Sequence, residues 1–217
     1  MEVRLIVDPG YDANMYLVMS GTSVLIDTGT GLQSEECVKL LSEFIDPKDI
    51  DRIILTHRHI DHVGGAKALS EACDATLYVS EDEAPSLRSG DQATTAARMF
   101  GKNLDKLDVE SVGYGDAIEI GAEELRVIHT PGHTKGSICL YEEGTKSLLC
   151  GDTVFAYGGV GRWDFPTGNL QELVESVKGL TEIPIENLYP GHGPAVKGNA
   201  HKHIQASYRS LKVYRLV

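Results

Sequence analysis

Four side chains able to hold a metal stand within six residues, His57-Arg58-His59-Ile60-Asp61-His62, directly after the apolar run Ile50–Leu55. From the chain's own composition, such an H-x-H-x-D-H cluster arises by chance roughly once in a thousand chains of this length. Neutral imidazoles and carboxylates suit zinc, iron or manganese, and a tight turn at a strand end aims alternate side chains at different ions. The chain is therefore expected to fold as strands that deliver ligands at their ends.

Three further segments share this form, each a strand ending in a glycine turn with a ligand-type residue. They are Thr130-Pro131-Gly132-His133-Thr134, Cys150-Gly151-Asp152-Thr153 and Tyr189-Pro190-Gly191-His192-Gly193-Pro194. Glycine lets the backbone turn sharply and approach an ion closely. Between these motifs the pattern predicts strands at 2–7, 14–19, 24–26, 50–55, 76–79, 108–112, 117–120, 125–129, 137–141, 147–150 and 186–189. Helices are expected at 34–44, with Leu40, Leu41 and Phe44 on the apolar face, at 66–72, and at 170–180, with an amphipathic stretch closing the chain. Residues 80–105 are polar, with a helix expected around 93–100, and read equally as a lid or as a connector. Strands alternating with helices along the whole length predict one α/β domain over residues 1–217.

Composition narrows the function. The chain has 217 residues, 41% apolar and 24% charged, as in an ordinary globular protein. With 32 acidic and 20 basic residues, the formal charge of −12 argues against nucleic acid as a partner. The N-terminal segment meets charge and a turn too early for a signal peptide. No apolar run approaches the ~18 residues that span a bilayer. Cys37, Cys73, Cys139 and Cys150 form no C-x-x-C pair, and Cys139 and Cys150 read as small buried hydrophobes. A cytoplasmic, reduced protein without membrane contact is the expectation. His129 is expected at a strand end, with His201 and His203 facing solvent.

Taken in order, Asp27-Thr28-Gly29, the hexapeptide at 57–62, His133, Asp152 and His192 resemble the metallo-β-lactamase superfamily, from about residue 14 to residue 194. The resemblance implies an αββα sandwich with metals at one edge, between two β-sheets. It implies that His57, His59 and His133 hold one metal, that Asp61, His62 and His192 hold the other, and that Asp152 bridges both. Asp27 matches the aspartate that orients a ligand without binding metal itself. Two divalent cations are implied, zinc first, with iron or manganese as alternatives. Asp61 and Asp152 are the carboxylates expected to serve catalysis. Two such cations share a hydroxide near neutral pH and polarise a carbonyl oxygen.

Within that superfamily, Gly151-Asp152-Thr153-Val154-Phe155 followed by Gly159-Val160-Gly161-Arg162 resembles the glyoxalase II branch, which hydrolyses thioesters of the S-2-hydroxyacylglutathione type. Arg162 falls where that branch carries a basic residue that contacts the thiol carrier. The pattern departs in two respects. Asp164 stands where a tyrosine is expected, and the chain runs only 25 residues beyond His192, short of a helical glutathione-binding domain. The resemblance thus implies a small-molecule thioester as substrate without specifying the thiol, and it is silent on oligomeric state. A different chemistry is also implied, because Gly161-Arg162-Trp163-Asp164-Phe165 resembles a segment of persulfide dioxygenases. Those relatives use one iron held by the equivalents of His57, His133 and Asp152. A lactonase would have a tyrosine in place of Phe155, and a flavodiiron protein a glutamate in place of His59.

Overall fold

Aliphatic and β-branched runs become the strands of two six-stranded sheets in the computed structural model, which describes residues 1–6 and 12–214. The chain divides into two units, Met1–Gly113 with Glu119–Glu123, and Tyr114–Ile118 with Glu124–Val217.

The first unit carries strands β1 (Glu2–Ile6), β2 (Met15–Ser20) and β3 (Thr22–Ile26), helix α1 (Ser34–Ser42), strand β4 (Ile50–Leu55), and helices α2 (Ile60–Val63) and α3 (Ala66–Cys73). Strand β5 (Thr76–Ser80), helix α4 (Ala84–Ser89) and strand β6 (Val109–Val112) complete it. The strands lie in chain order. The first two pairs are antiparallel, and β2 and β3 meet in a hairpin at Gly21, whose φ of +80° suits a residue without a side chain. The β3–β4, β4–β5 and β5–β6 pairs are parallel, which requires a crossover between each pair; α1 and α3 serve the first two. Leu17, Leu25, Ile53, Leu55, Leu69 and Leu77 form its core.

The remaining elements are β7 (Ala117–Ile120), β8 (Glu123–His129), β9 (Ile138–Glu142), β10 (Ser147–Gly151), helix α5 (Leu170–Leu180), β11 (Asn187–Pro190), β12 (Val196–Lys197) and helix α6 (His201–Tyr214), in the sheet order β12-β11-β10-β9-β8-β7; all belong to the second unit except Glu119–Ile120 of β7 and Glu123 of β8. The β10–β11 pair is parallel, and α5 is its crossover. Asn169 starts α5, its side chain accepting from the backbone N–H groups of Gln171 and Glu172 at 2.9 and 3.2 Å. Leu173, Val174, Val177 and Leu180 of α5 pack with Leu148, Leu188 and Ile204. Burial pushes the Cys139 thiol up to about 11, and Cys150 is raised as well, so both pack here as neutral apolar groups.

The expected elements appear with ends moved by one or two residues, Val7 lying outside the described residues. Segment 80–105 differs. The helix expected near 93–100 is a single 3-10 turn, Ala97–Phe100, while α4 forms earlier. Phe44 lies beyond the end of α1, 43% exposed beneath the Arg4 guanidinium. His129 does end β8, stacked on Tyr114 at 3.7 Å. His203, expected in solvent, is buried on α6 and accepts from the backbone N–H of Tyr157 at 2.8 Å. Among the described residues no helix is long and apolar enough to cross a membrane.

Candidate metal centre

In the first unit, β4 ends at Leu55 and delivers Thr56 and the hexapeptide into a turn that starts α2 at Ile60. His57, His59 and His62 are buried and Asp61 is partly buried. Their rings crowd together, His57 lying 4.9 Å from His59 and 4.1 Å from His62 between centroids. The His62 Nε2 stands 3.9 Å from a carboxylate oxygen of Asp61.

Asp27 organises this group from beneath. It is buried, in a left-handed conformation (φ +60°), and its Oδ1 accepts from the Thr56 N–H at 2.8 Å. Its Oδ2 accepts from the Thr56 hydroxyl at 2.8 Å and from His62 Nδ1 at 2.7 Å. The Thr56 hydroxyl proton is committed to Asp27, so its oxygen accepts from His57 Nδ1 at 3.0 Å. One carboxylate thus fixes the Nδ1–H tautomer of two histidines, leaving Nε2 as the nitrogen with which either could ligate a metal. The loop carrying Asp27 lies tight against α2, with the Thr28 N–H and hydroxyl each donating to the His62 carbonyl at 2.8 Å. Gly64 permits this approach, since a Cβ there would strike the Thr30 carbonyl oxygen.

In the second unit, β8, β10 and β11 each end in one of the three glycine turns. Gly132 (φ +129°) donates to the Thr134 carbonyl and accepts from the Asn169 N–H at 2.8 Å, which ties the His133 turn to the start of α5. The Gly191 N–H donates to the Gly151 carbonyl at 2.7 Å, joining the turns of His192 and Asp152. Oδ2 of Asp152 lies 3.5 Å from His133 Nε2 and 3.4 Å from His192 Nε2, so one oxygen is shared by both imidazoles. His133 Nδ1 donates to the Arg162 carbonyl at 2.6 Å, which directs its Nε2 to the carboxylate side. Gly161 is required there, because a Cβ would strike the Asp152 carbonyl oxygen and come within 2.8 Å of His133 Nδ1. The Phe155 ring stands edge-on to His192 at 5.9 Å.

The donor types fit a metal: the Nε2 atoms of His57, His62 and His133, whose opposite nitrogens are held by acceptors, with the carboxylates Asp61 and Asp152. The side chain of Arg162 behaves otherwise. It is exposed and paired with Asp164 through two bonds, Nε to Oδ1 at 2.9 Å and the terminal nitrogen to Oδ2 at 2.7 Å, with its Cζ 4.2 Å from the centroid of the Phe165 ring. Asp164 holds the Arg162 pKa above its usual value, and Arg162 holds the Asp164 carboxyl below its own. The residue that departs from the glyoxalase II pattern is therefore the one that clamps the arginine.

Sequence reading overlooked Arg58, the charged residue inside the hexapeptide. It is buried, and its Nε donates to Glu83 of segment 80–105. A charge following a buried strand is a signal, but nothing local names its partner.

The chain belongs to the metallo-β-lactamase superfamily, whose family model matches residues 7–192. It is 37% identical over 200 residues to a protein of Methanocaldococcus jannaschii named "Probable metallo-hydrolase", covering 85% of this chain and 89% of that one. It is 27% identical over 201 residues to hydroxyacylglutathione hydrolase GloC of Haemophilus influenzae, covering 89% and 91%. The crystal structure of TTHA1623 in a di-iron-bound form superposes with a TM-score of 0.74 at 31% identity, over 94% of this chain and 95% of that one. The fold is that of the superfamily, and the histidines and aspartates of these clusters are residue types able to hold a metal ion.

Proposed function

We propose that this protein is a dinuclear metal-dependent hydrolase that cleaves a thioester, in the manner of glyoxalase II. The two units act as one domain. His57, His59 and His133 hold one cation, Asp61, His62 and His192 hold the second, and Asp152 is shared. The observation that carries this proposal is the set of Nδ1 bonds to Thr56, Asp27 and the Arg162 carbonyl, which supports ligation through Nε2 by three imidazoles. The di-iron form of a relative at 31% identity supports two ions and leaves their identity among zinc, iron and manganese.

Two divalent cations bound there supply an activated water near neutral pH and a Lewis acid for the carbonyl oxygen. The chain's own groups do the rest. Asp27 holds the protons of the His57–Thr56–His62 network away from the metal side. The Phe155 ring keeps one flank of His192 apolar. Arg162, pre-set by Asp164 and Phe165, presents a guanidinium edge to an anionic thiol carrier. A thiolate leaves without a protonated side chain beside it, so no buried general acid is required. A matched panel tests this: S-D-lactoylglutathione, an acyl-coenzyme A and the corresponding oxygen ester. Cleavage of thioesters in preference to the oxygen ester is expected, and equal or faster cleavage of the oxygen ester would overturn the assignment.

The Arg162–Asp164–Phe165 arrangement favours one second reading, a persulfide dioxygenase with a single iron held by His57, His133 and Asp152. Oxygen uptake with glutathione persulfide and no thioester cleavage would select it.

A further inference from the structure

We infer that the buried Arg58–Glu83 ion pair positions the metal-binding turn, fixing the backbone that carries His57 and His59 and so setting metal affinity more than fold stability. This rests on the metal-binding role proposed above for those histidines.

Arg58 occupies the middle of the His57-Arg58-His59 triplet and is 5% exposed; Glu83 is fully buried. Its guanidinium is engaged along three edges. Nε donates to Glu83 Oε2, one terminal nitrogen donates to Ser86 Oγ at 2.7 Å and Thr94 Oγ1 at 3.1 Å, and the other to the Asp82 carbonyl at 2.9 Å. Thr94 gives its own hydroxyl proton to Asp91 Oδ2 at 2.5 Å, so its oxygen is committed to accepting from Arg58. Two residues on, the Ile60 N–H donates to the Thr95 carbonyl at 2.8 Å. Residues 82–95 therefore grip the turn at positions 58 and 60, on either side of His59.

A buried ion pair is a poor source of net stability, since desolvation offsets most of its Coulomb gain and apolar residues of similar volume often serve as well. What such a pair supplies is direction. The rigid guanidinium fork accepts only narrow angles, and filling four acceptors leaves the Cα of residue 58 little freedom. Its neighbours at 57 and 59 inherit that restriction. A ligand pair held in place before the metal arrives costs less entropy to organise, which appears as affinity. Residues 82–95 of the polar segment thus brace the metal turn.

The test is metal affinity of the chelator-stripped full chain, titrated with Zn²⁺ against a chromophoric competitor, with thermal unfolding of the stripped protein measured alongside. The double variant Arg58→Met/Glu83→Leu removes both charges together and is expected to unfold close to wild type while binding Zn²⁺ about 10–100-fold more weakly, the usual cost of losing outer support for a ligand. Ser86→Ala/Thr94→Val leaves the charges paired, strips two acceptors from the fork, and is expected to weaken binding several-fold; it decides the matter if the first variant does not fold. Affinities within twofold of wild type in the folded variants would overturn the inference. Wild-type protein that fails to bind Zn²⁺, Fe²⁺ or Mn²⁺ would overturn the metal assignment itself, a separate failure.

Discussion

The Asp27 carboxylate accepts from His62 Nδ1 at 2.7 Å while the same oxygen accepts from the Thr56 hydroxyl that receives the His57 proton. Two imidazoles on opposite ends of the hexapeptide are thereby held in one tautomer by one buried group. Asp27→Asn tests the dependence. Its amide nitrogen cannot face the Thr56 N–H, a donor, so it turns to His62 Nδ1 and drives the proton to Nε2. Metal affinity is expected to fall about 10–100-fold, with activity falling alongside. Metal content after dialysis against a weak chelator is the measurement, and wild-type retention would count against the tautomer role.

Gly161 and Gly179 make a contrasting pair. An alanine at 161 would push against the Asp152 carbonyl and the His133 ring, whereas one at 179, exposed on α5, meets nothing within 4 Å. Gly161→Ala is expected to lose metal and activity. Gly179→Ala is expected to stabilise the fold by about 0.5–1 kcal/mol, because alanine loses less backbone entropy in a helix. Denaturant unfolding and metal content together check both.

Arg162 is held by Asp164 in a solvent-exposed pair. If the arginine meets the thiol carrier, Arg162→Ala raises KM for an anionic thioester by about tenfold, the scale of one charged hydrogen bond, with kcat little changed. Asp164→Asn unclamps the guanidinium and shifts KM while leaving kcat near wild type. An effect on kcat alone would assign the pair to another role.

Burial, with a smaller contribution from Lys202, holds the His203 pKa below the usual histidine value. Its neutral ring accepts from the Tyr157 N–H, so the folded protein binds fewer protons than the unfolded chain. The stabilisation is therefore present above the unfolded pKa of about 6.5 and is lost as pH falls through the lower folded value. Thermal stability is expected to drop on acidification from pH 7 to 5, and less steeply in His203→Gln. His203→Ala is expected to lower stability and to leave metal content intact, unlike Asp152→Ala, which should strip it.

What was legible in the sequence was local. The hexapeptide, Pro-Gly-His133, Gly-Asp152 and Pro-Gly-His192 each place a ligand type at a strand end within a few residues, and the strands before them read correctly from short apolar runs. Segment 80–105 was not legible, because its shape is set by distant partners. Gln92 bonds Leu104, Arg58 bonds Ser86 and Thr94, and the Lys102 ammonium donates to the Thr30 carbonyl at 2.7 Å. Periodicity carries no trace of such bonds, so a helix near 93–100 looked reasonable. His203 misled for a related reason: its polarity suggested solvent, whereas its ring accepts the Tyr157 N–H under a turn 46 residues earlier. Asp164 was legible only as a departure from a pattern, and its bond to Arg162 needed the fold.

The most direct test of the central claim is metal stoichiometry on protein purified without added metal, paired with S-D-lactoylglutathione turnover on the same sample. The account predicts two metal ions per chain and thioester hydrolysis that is lost on chelation and regained on restoring the metal. One iron per chain, with oxygen consumed on glutathione persulfide and no thioester cleavage, would contradict it.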